Sequence, residues 1–202
     1  MPFEDWFLPG QAPAGRSRSV HPRAEYDRPV RVTFPNTGPS KWSTVEVVDS
    51  ELTPSHAARL DASALAAEYP YRVELPARHA SGTGLWSRYP VTERVTARTK
   101  HHTVVADVAA PGGTIQVIVV HTQSPIDHHQ QWLFDLDRLG ALPVDQPAVM
   151  TGDFNAGWWH PEFRRLLSRG GWRDAHIAVG RGLSCSWPTD QWHLAFRWHP
   201  PF

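Results

Sequence analysis

Two β-rich runs, HTVVADV (102–108) and TIQVIVV (114–120), stand on either side of Ala109-Ala110-Pro111-Gly112-Gly113. Branched apolar residues favour a pleated backbone, and Pro-Gly-Gly combines a fixed φ with two residues free of a Cβ. The pair therefore reads as a β-hairpin. Further runs extend the pattern. VRVTF (30–34), YRVEL (71–75) and GTGLWS (82–87) read as strands, and PAVMTGD (147–153) reads as a buried strand that ends in an acid. TVEVV (44–48) suits either a strand or the start of a helix.

Helices are fewer. Thr53 is an N-cap residue followed by Pro54 at the first helical position, with Ala57, Ala58, Leu60, Leu65 and Ala66 behind them and Pro70 as the stop. Trp132, Leu133, Leu136 and Leu139 place one apolar face on a helix over 128–139, and Gly140 stands where a C′ glycine belongs. A short helix is expected over 161–170, Pro first and Gly last, and irregular chain after Trp172. Strands outnumber helices and arrive in consecutive groups, so the expected class is α+β.

The chain has 202 residues, 41% of them hydrophobic, which is enough for one domain with a real core. Pro2, Pro9, Pro13, Pro22 and Pro29 interrupt every helix that residues 1–29 could form, so an irregular N-terminal tail is expected ahead of a domain over 30–202. Twenty basic residues balance twenty acidic ones, which argues against a protein that coats nucleic acid but not against a local phosphate site. One cysteine, Cys185, excludes a disulfide framework and a cysteine-based zinc site within the chain. No run of eighteen apolar residues occurs, so no transmembrane segment is expected. MPFEDWFLPGQAPAG does not read as a signal peptide, and nothing in the sequence names a compartment.

The chemistry gathers where two apolar strands end. TIQVIVV runs into His121, and PAVMT runs into Gly152-Asp153-Phe154-Asn155. If the second strand stays extended, Asp153 and Asn155 share a face and Phe154 turns into packing. A carboxylate beside a carboxamide suits an oxygen-ligated Mg²⁺ or Mn²⁺, or a water to be deprotonated near a phosphate. Gly152 allows a close approach, and a histidine at a neighbouring strand end can donate a hydrogen bond to a phosphoryl oxygen.

VMTGDFNA together with VIVVHTQSP resembles the endonuclease/exonuclease/phosphatase family, with its deoxyribonuclease-I-like fold. SELTPSHAARL (50–60), GTGLWSRYP (82–90) and GRGLSCSWPT (180–189) are similar to further family segments, so the likeness spans roughly residues 30–199. It is nearest to a subgroup whose members are often membrane-anchored and linked to glycopeptide resistance. The resemblance implies a four-layer αββα sandwich and metal-dependent hydrolysis of phosphate esters, with Mg²⁺ or Mn²⁺ as cofactor. It implies Glu51 and Asn36 at the metal, His121 on the phosphate, Asp153 orienting or activating the attacking water, and Asn155 holding the scissile phosphate. Trp158, just after GDFNA, is a candidate to line a substrate groove, although core packing is the expected role of Trp158 and Trp159.

The chain also departs from the family pattern. Asn36 and Glu51 stand fifteen positions apart, where relatives insert a helix and a whole strand. The sequence given ends at HPPF, ahead of the Asp-His and Ser-Asp-His segments of relatives, and neither His193 nor His199 matches them. The expectation is an incomplete sandwich with an exposed sheet edge through which two copies could pair. The alternative to an active hydrolase is a silent relative that at most binds metal or a phosphorylated partner. His101-His102 and His128-His129 could chelate a transition metal, but neighbouring residues diverge on a strand or a helix, so surface or partner contacts are expected of them. Cys185 is expected to be a small buried hydrophobe.

Overall fold

The computed structural model describes residues 30–35, 42–48, 52–94, 97, 99–178 and 180. The expectations for residues 1–29, Asn36, Glu51, Cys185, His193, His199 and the 180–189 segment lie outside the described residues, apart from the backbone of Gly180.

Among the described residues, eight strands form two four-stranded sheets. The first holds β1 (Val30–Pro35), β2 (Trp42–Val48), β4 (Thr83–Ser87) and β3 (Tyr71–Leu75), in the order β1-β2-β4-β3 and antiparallel throughout. The open choice at 44–48 is settled as strand: β2 is bonded to β1 on one side and β4 on the other. The second sheet runs β5 (Val91–Glu93), β6 (Val104–Ala110), β7 (Gly113–His121) and β8 (Ala148–Asp153). The hairpin is β6–β7, with Ala110 facing Gly113 across the turn. β8 joins β7 in parallel, which requires a crossover, and the helix α3 (Pro125–Gly140) supplies it. β5 is only three residues long and left no readable alternation in the sequence.

Strand alternation then builds the layers. Val104, Ala106 and Val108 of β6 and Ile115, Val117 and Val119 of β7 meet Leu85 of β4 between the two sheets. Their neighbours Val105, Ile118 and Val120 face the other way and pack on Trp132, Leu136, Leu139 and Leu166, from α3 and α4 (Pro161–Gly170). On the far side, Trp86 of β4 is covered by Leu52, Ala57 and Tyr69, with Leu60 and Leu65, from α1 (Pro54–Asp61) and α2 (Ala64–Glu68) and their flanks. The result is helix, sheet, sheet, helix: an α+β sandwich of four layers.

The helix ends differ in detail from expectation. Thr53 caps α1 and Pro54 opens it, as its chemistry requires, but the helix breaks at Ala62 and Ser63 caps a second, short one. α3 begins at Pro125, three residues early, because Ser124 caps it; the turn continues through a distorted His128 (φ −145°, ψ 72°). Gly140 is the last helical residue of α3, not its C′ residue. It is small because a Cβ there would lie 3.3 Å from Leu166 Cα, so it marks the closest contact of α3 with α4. The left-handed glycine that ends α4 is Gly171 (φ 67°), and the stretch after Trp172 read as irregular contains one helical turn, α5 (Ala175–Ala178). Among the described residues no helix is long and apolar enough to cross a membrane.

Candidate active site

β7 and β8 end together. His121 and Asp153 are register partners, the last pair of the parallel ladder, and Thr122 N donates to Asp153 O at 2.9 Å to continue it one step. Both side chains follow the odd-numbered, inter-sheet face of their strands, as Val117, Val119 and Val149 do. Gly152 makes this possible: its φ is +126°, and a Cβ would stand 2.1 Å from Val120 O. What approaches Gly152 closely is the neighbouring strand's backbone.

The extended path ends at Asp153. Asn155 has φ 46°, in the left-handed region that asparagine tolerates better than most residues. Its N–H turns back to Asp153 Oδ1 at 2.7 Å, and its Nδ2 donates to Thr122 O at 3.0 Å. The shared strand face expected for Asp153 and Asn155 is thus replaced by a turn, which sets the Asn155 backbone N–H on the carboxylate and sends the carboxamide to the end of β7. Among the described residues, one Nδ2 hydrogen and Oδ1 of Asn155 are left over for a ligand. Phe154 turns into the α3–α4 layer, as expected.

Burial sets the electrostatics. His121 is 6% exposed, and desolvation, with His101 beside it, lowers its pKa to about 4, so the ring is neutral at physiological pH. Burial also raises the Asp153 carboxyl above its ordinary value, while the Asn155 N–H and His101 pull it down. His121 Nδ1 and Thr122 Oγ1 are both buried without a hydrogen-bond partner among the described residues. Unsatisfied polar atoms beside a half-buried carboxylate are unusual in a folded interior and are typical of a place built for a polar ligand.

Two members of the site were not legible in the sequence. His101 is half-buried, not at the surface as expected: its ring stacks on His121 with centroids 4.4 Å apart and planes 21° from parallel. Its Nδ1 lies 3.1 Å from Ser81 Oγ, and burial lowers its pKa while Asp135 and Asp153 oppose that shift. Asp135, from α3, is fully buried and accepts from Lys100 N (3.0 Å), Gln123 N (2.9 Å) and Gln131 Nε2 (2.9 Å). His102, His128 and His129 are exposed, as expected.

Trp158 and Trp159 are 37% and 47% exposed, which corrects their expected place in the core. The turn that carries them is fixed: Gly157 N donates to His160 Nδ1 at 2.9 Å, and Arg164 Nη1 donates to Trp158 O at 2.6 Å. Among the described residues no group of three or more His, Cys, Asp or Glu side chains could hold a metal ion, and the expected ligands Asn36 and Glu51 lie outside them. The donors present, a carboxylate and a carboxamide oxygen, are hard oxygens of the kind that fit Mg²⁺ or Mn²⁺ and not a thiophilic metal.

A four-layer sandwich with polar residues converging where the central strands end defines a deoxyribonuclease-I-like protein of α+β class. Its likeness to a magnesium-bound variant of beta toxin from Staphylococcus aureus agrees with that fold: TM-score 0.51 and 19% identity, over 67% of this chain and 59% of the other. The Endonuclease/Exonuclease/phosphatase family model matches residues 50–202, and the chain belongs to that family. Sphingomyelinase C from Streptomyces griseocarneus aligns with TM-score 0.48 and 17% identity, over 62% of this chain and 56% of that one. D. rerio TDP2 in complex with a single-strand DNA product aligns with TM-score 0.42 and 18% identity, over 62% and 51%. The chain spans little more than half the length of these solved relatives. No curated protein matches it.

Proposed function

We propose that the chain is a metal-dependent phosphoric ester hydrolase that acts on phosphodiesters or phosphomonoesters by in-line attack of water on phosphorus. The observation that carries this reading is the register pair His121–Asp153: a neutral buried imidazole with a nitrogen unpartnered among the described residues, beside a half-buried carboxylate, on the family's own motif. In this reading Asp153 orients the attacking water and accepts its proton, a task suited to a carboxylate whose pKa burial has raised. His121 donates a hydrogen bond to a phosphoryl oxygen, and Asn155, its backbone N–H locked on Asp153 and its side chain on Thr122 O, holds the scissile phosphate with its remaining Nδ2 hydrogen.

Glu51 and Asn36, assigned by resemblance, would hold Mg²⁺ or Mn²⁺. The bound ion would supply positive charge to screen the phosphate and the oxygens of the transition state. Trp158 and Trp159 offer exposed aromatic faces three and four residues past Asn155, suited to stack on a planar group of the substrate. A neutral chain favours a small phosphate ester over a long polynucleotide.

The test is hydrolysis of bis(p-nitrophenyl) phosphate with Mn²⁺ or Mg²⁺ against chelator, comparing the full chain with Asp153→Ala. Metal-dependent turnover that is lost in Asp153→Ala is the expected result. Turnover no higher than in a folded Asp153→Ala protein would overturn the hydrolase reading and leave a domain that binds metal or a phosphorylated partner without cleaving it.

A further inference from the structure

His101 belongs to none of the motifs that led to the site, and it precedes His121 by twenty positions. Its ring nevertheless covers one face of the His121 ring at 4.4 Å. The His101 loop is pinned on both sides. Lys100 N donates to Asp135 Oδ1 at 3.0 Å, His102 N donates to Ser81 O at 3.1 Å, and Thr83 Oγ1 donates to His102 O at 2.8 Å. Ser81 Oγ, 3.1 Å from His101 Nδ1, adds one polar contact at the edge of that ring.

The other oxygen of Asp135, Oδ2, accepts from Gln123 N at 2.9 Å, two residues past His121. One buried carboxylate therefore ties together the two backbone segments that carry the rings. His121, by contrast, has no hydrogen bond at Nδ1 among the described residues, so nothing polar at that atom sets the tilt of its ring, while the His101 imidazole lies stacked against it.

We propose that His101 is a positioning residue for the phosphate-contacting group: by stacking on His121 it sets the plane in which that ring meets the phosphoryl oxygen, and Asp135 keeps the two rings in register. This rests on the phosphate-ester reading of the same site. The geometry demands an aromatic ring at position 101, held flat on His121, and makes no demand on the nitrogen atoms of that ring toward substrate.

Comparing His101→Phe with His101→Ala in the full chain separates the alternatives. The first readout is the His121 ring C–H resonance, assigned by its disappearance in His121→Gln. The stacked ring displaces it, so His101→Phe should keep the displacement and His101→Ala should lose it. The second is hydrolysis of bis(p-nitrophenyl) phosphate with Mn²⁺. Misaiming a reacting partner costs on the order of 10²-fold, so kcat should fall by that order in His101→Ala with KM little changed, and His101→Phe should recover most of it. A His121 resonance unmoved in His101→Ala overturns the proposal. So does a His101→Phe protein that keeps the resonance but is as slow as His101→Ala, since the nitrogen would then be what matters. If the wild-type chain hydrolyses nothing, the hydrolase reading fails on its own, and inorganic phosphate becomes the probe. Phosphate should then move the His121 resonance in wild type and His101→Phe but not in His101→Ala, and a phosphate-blind His121 in wild type overturns the proposal.

Discussion

His121 and Asp153, 32 positions apart in the chain, are paired residue to residue at the last rung of the parallel β7–β8 ladder. The backbone ladder, more than any side-chain contact between them, sets their separation. Substitutions therefore divide into those that change the groups presented and those that change the ladder presenting them.

Acid stability reports the buried imidazole. The His121 pKa is lowered from 6.5 to about 4, so the unfolded chain binds a proton that the folded chain refuses. Stability is then complete above pH 6.5, declines as pH falls below it, and the loss levels off near pH 4. The full loss is about 3 kcal/mol, of which about 2 kcal/mol falls between pH 6.5 and pH 5. Asp153, shifted upward, works in the opposite sense and gains stability as its carboxyl protonates. Urea unfolding at pH 7 and pH 5 should show the decline in wild type and a clearly smaller one in His121→Gln; equal slopes in the two proteins would contradict it.

Gly152→Ala should be among the most damaging single changes in the second sheet. A Cβ at that position would stand 2.1 Å from Val120 O, on a backbone with φ +126°. The combination of strain and backbone clash is expected to cost about 3 kcal/mol. Thermal or urea unfolding measures it, and a cost below about 1 kcal/mol would mean that β7 and β8 can separate at their ends without penalty.

Asn155 has two roles that substitution can split. Glycine accepts φ 46° without strain, so Asn155→Gly should fold with a stability loss of about 1 kcal/mol, the Thr122 hydrogen bond being the main interaction lost. Asn155→Ala adds the left-handed penalty of about another 1 kcal/mol. Both should lose the same large factor in turnover, because both lack the carboxamide. If Asn155→Gly stays as active as wild type, the carboxamide is a turn-former and nothing more.

Asp135→Ala removes the acceptor of three N–H groups at once, the one from Gln123 fully buried. A loss of about 3 kcal/mol or more is expected by chemical denaturation. Faster amide exchange at Lys100 and Gln123 should accompany it, well ahead of exchange in the β6–β7 ladder. Uniform acceleration across the sheet would show that Asp135 supports the whole sandwich and not these two loops.

Local chemistry made some of this readable from residues alone. The β6–β7 hairpin declared itself through its Pro-Gly turn, α1 through Thr53 and Pro54, and the reactive strand ends through the abrupt change from valines to His121 and from methionine to Asp153. In each case the signal and the structure lie within a few residues of one another. His101 was misplaced because its environment is made by Ser81 and His121, each twenty positions away, through a loop held by Asp135. No periodicity encodes such a contact. The position of Asn155 failed for a different reason: alternation describes a strand only while the strand lasts, and β8 stops at Asp153 so that the chain can turn.

The parity of β8 carries one more consequence. Sliding it by a single residue along β7 would set Gly152 or Phe154 opposite His121 and swing the acid over to the face packed on α3 and α4. There is no halfway arrangement in which the acid and the imidazole are merely a little misaligned. Gly152, fitted under Val120 O, is the notch that admits only one setting. A population of such molecules should thus contain competent and incompetent members and no graded ones: damage to the ladder would lower the fraction of working sites while leaving each surviving site at full strength.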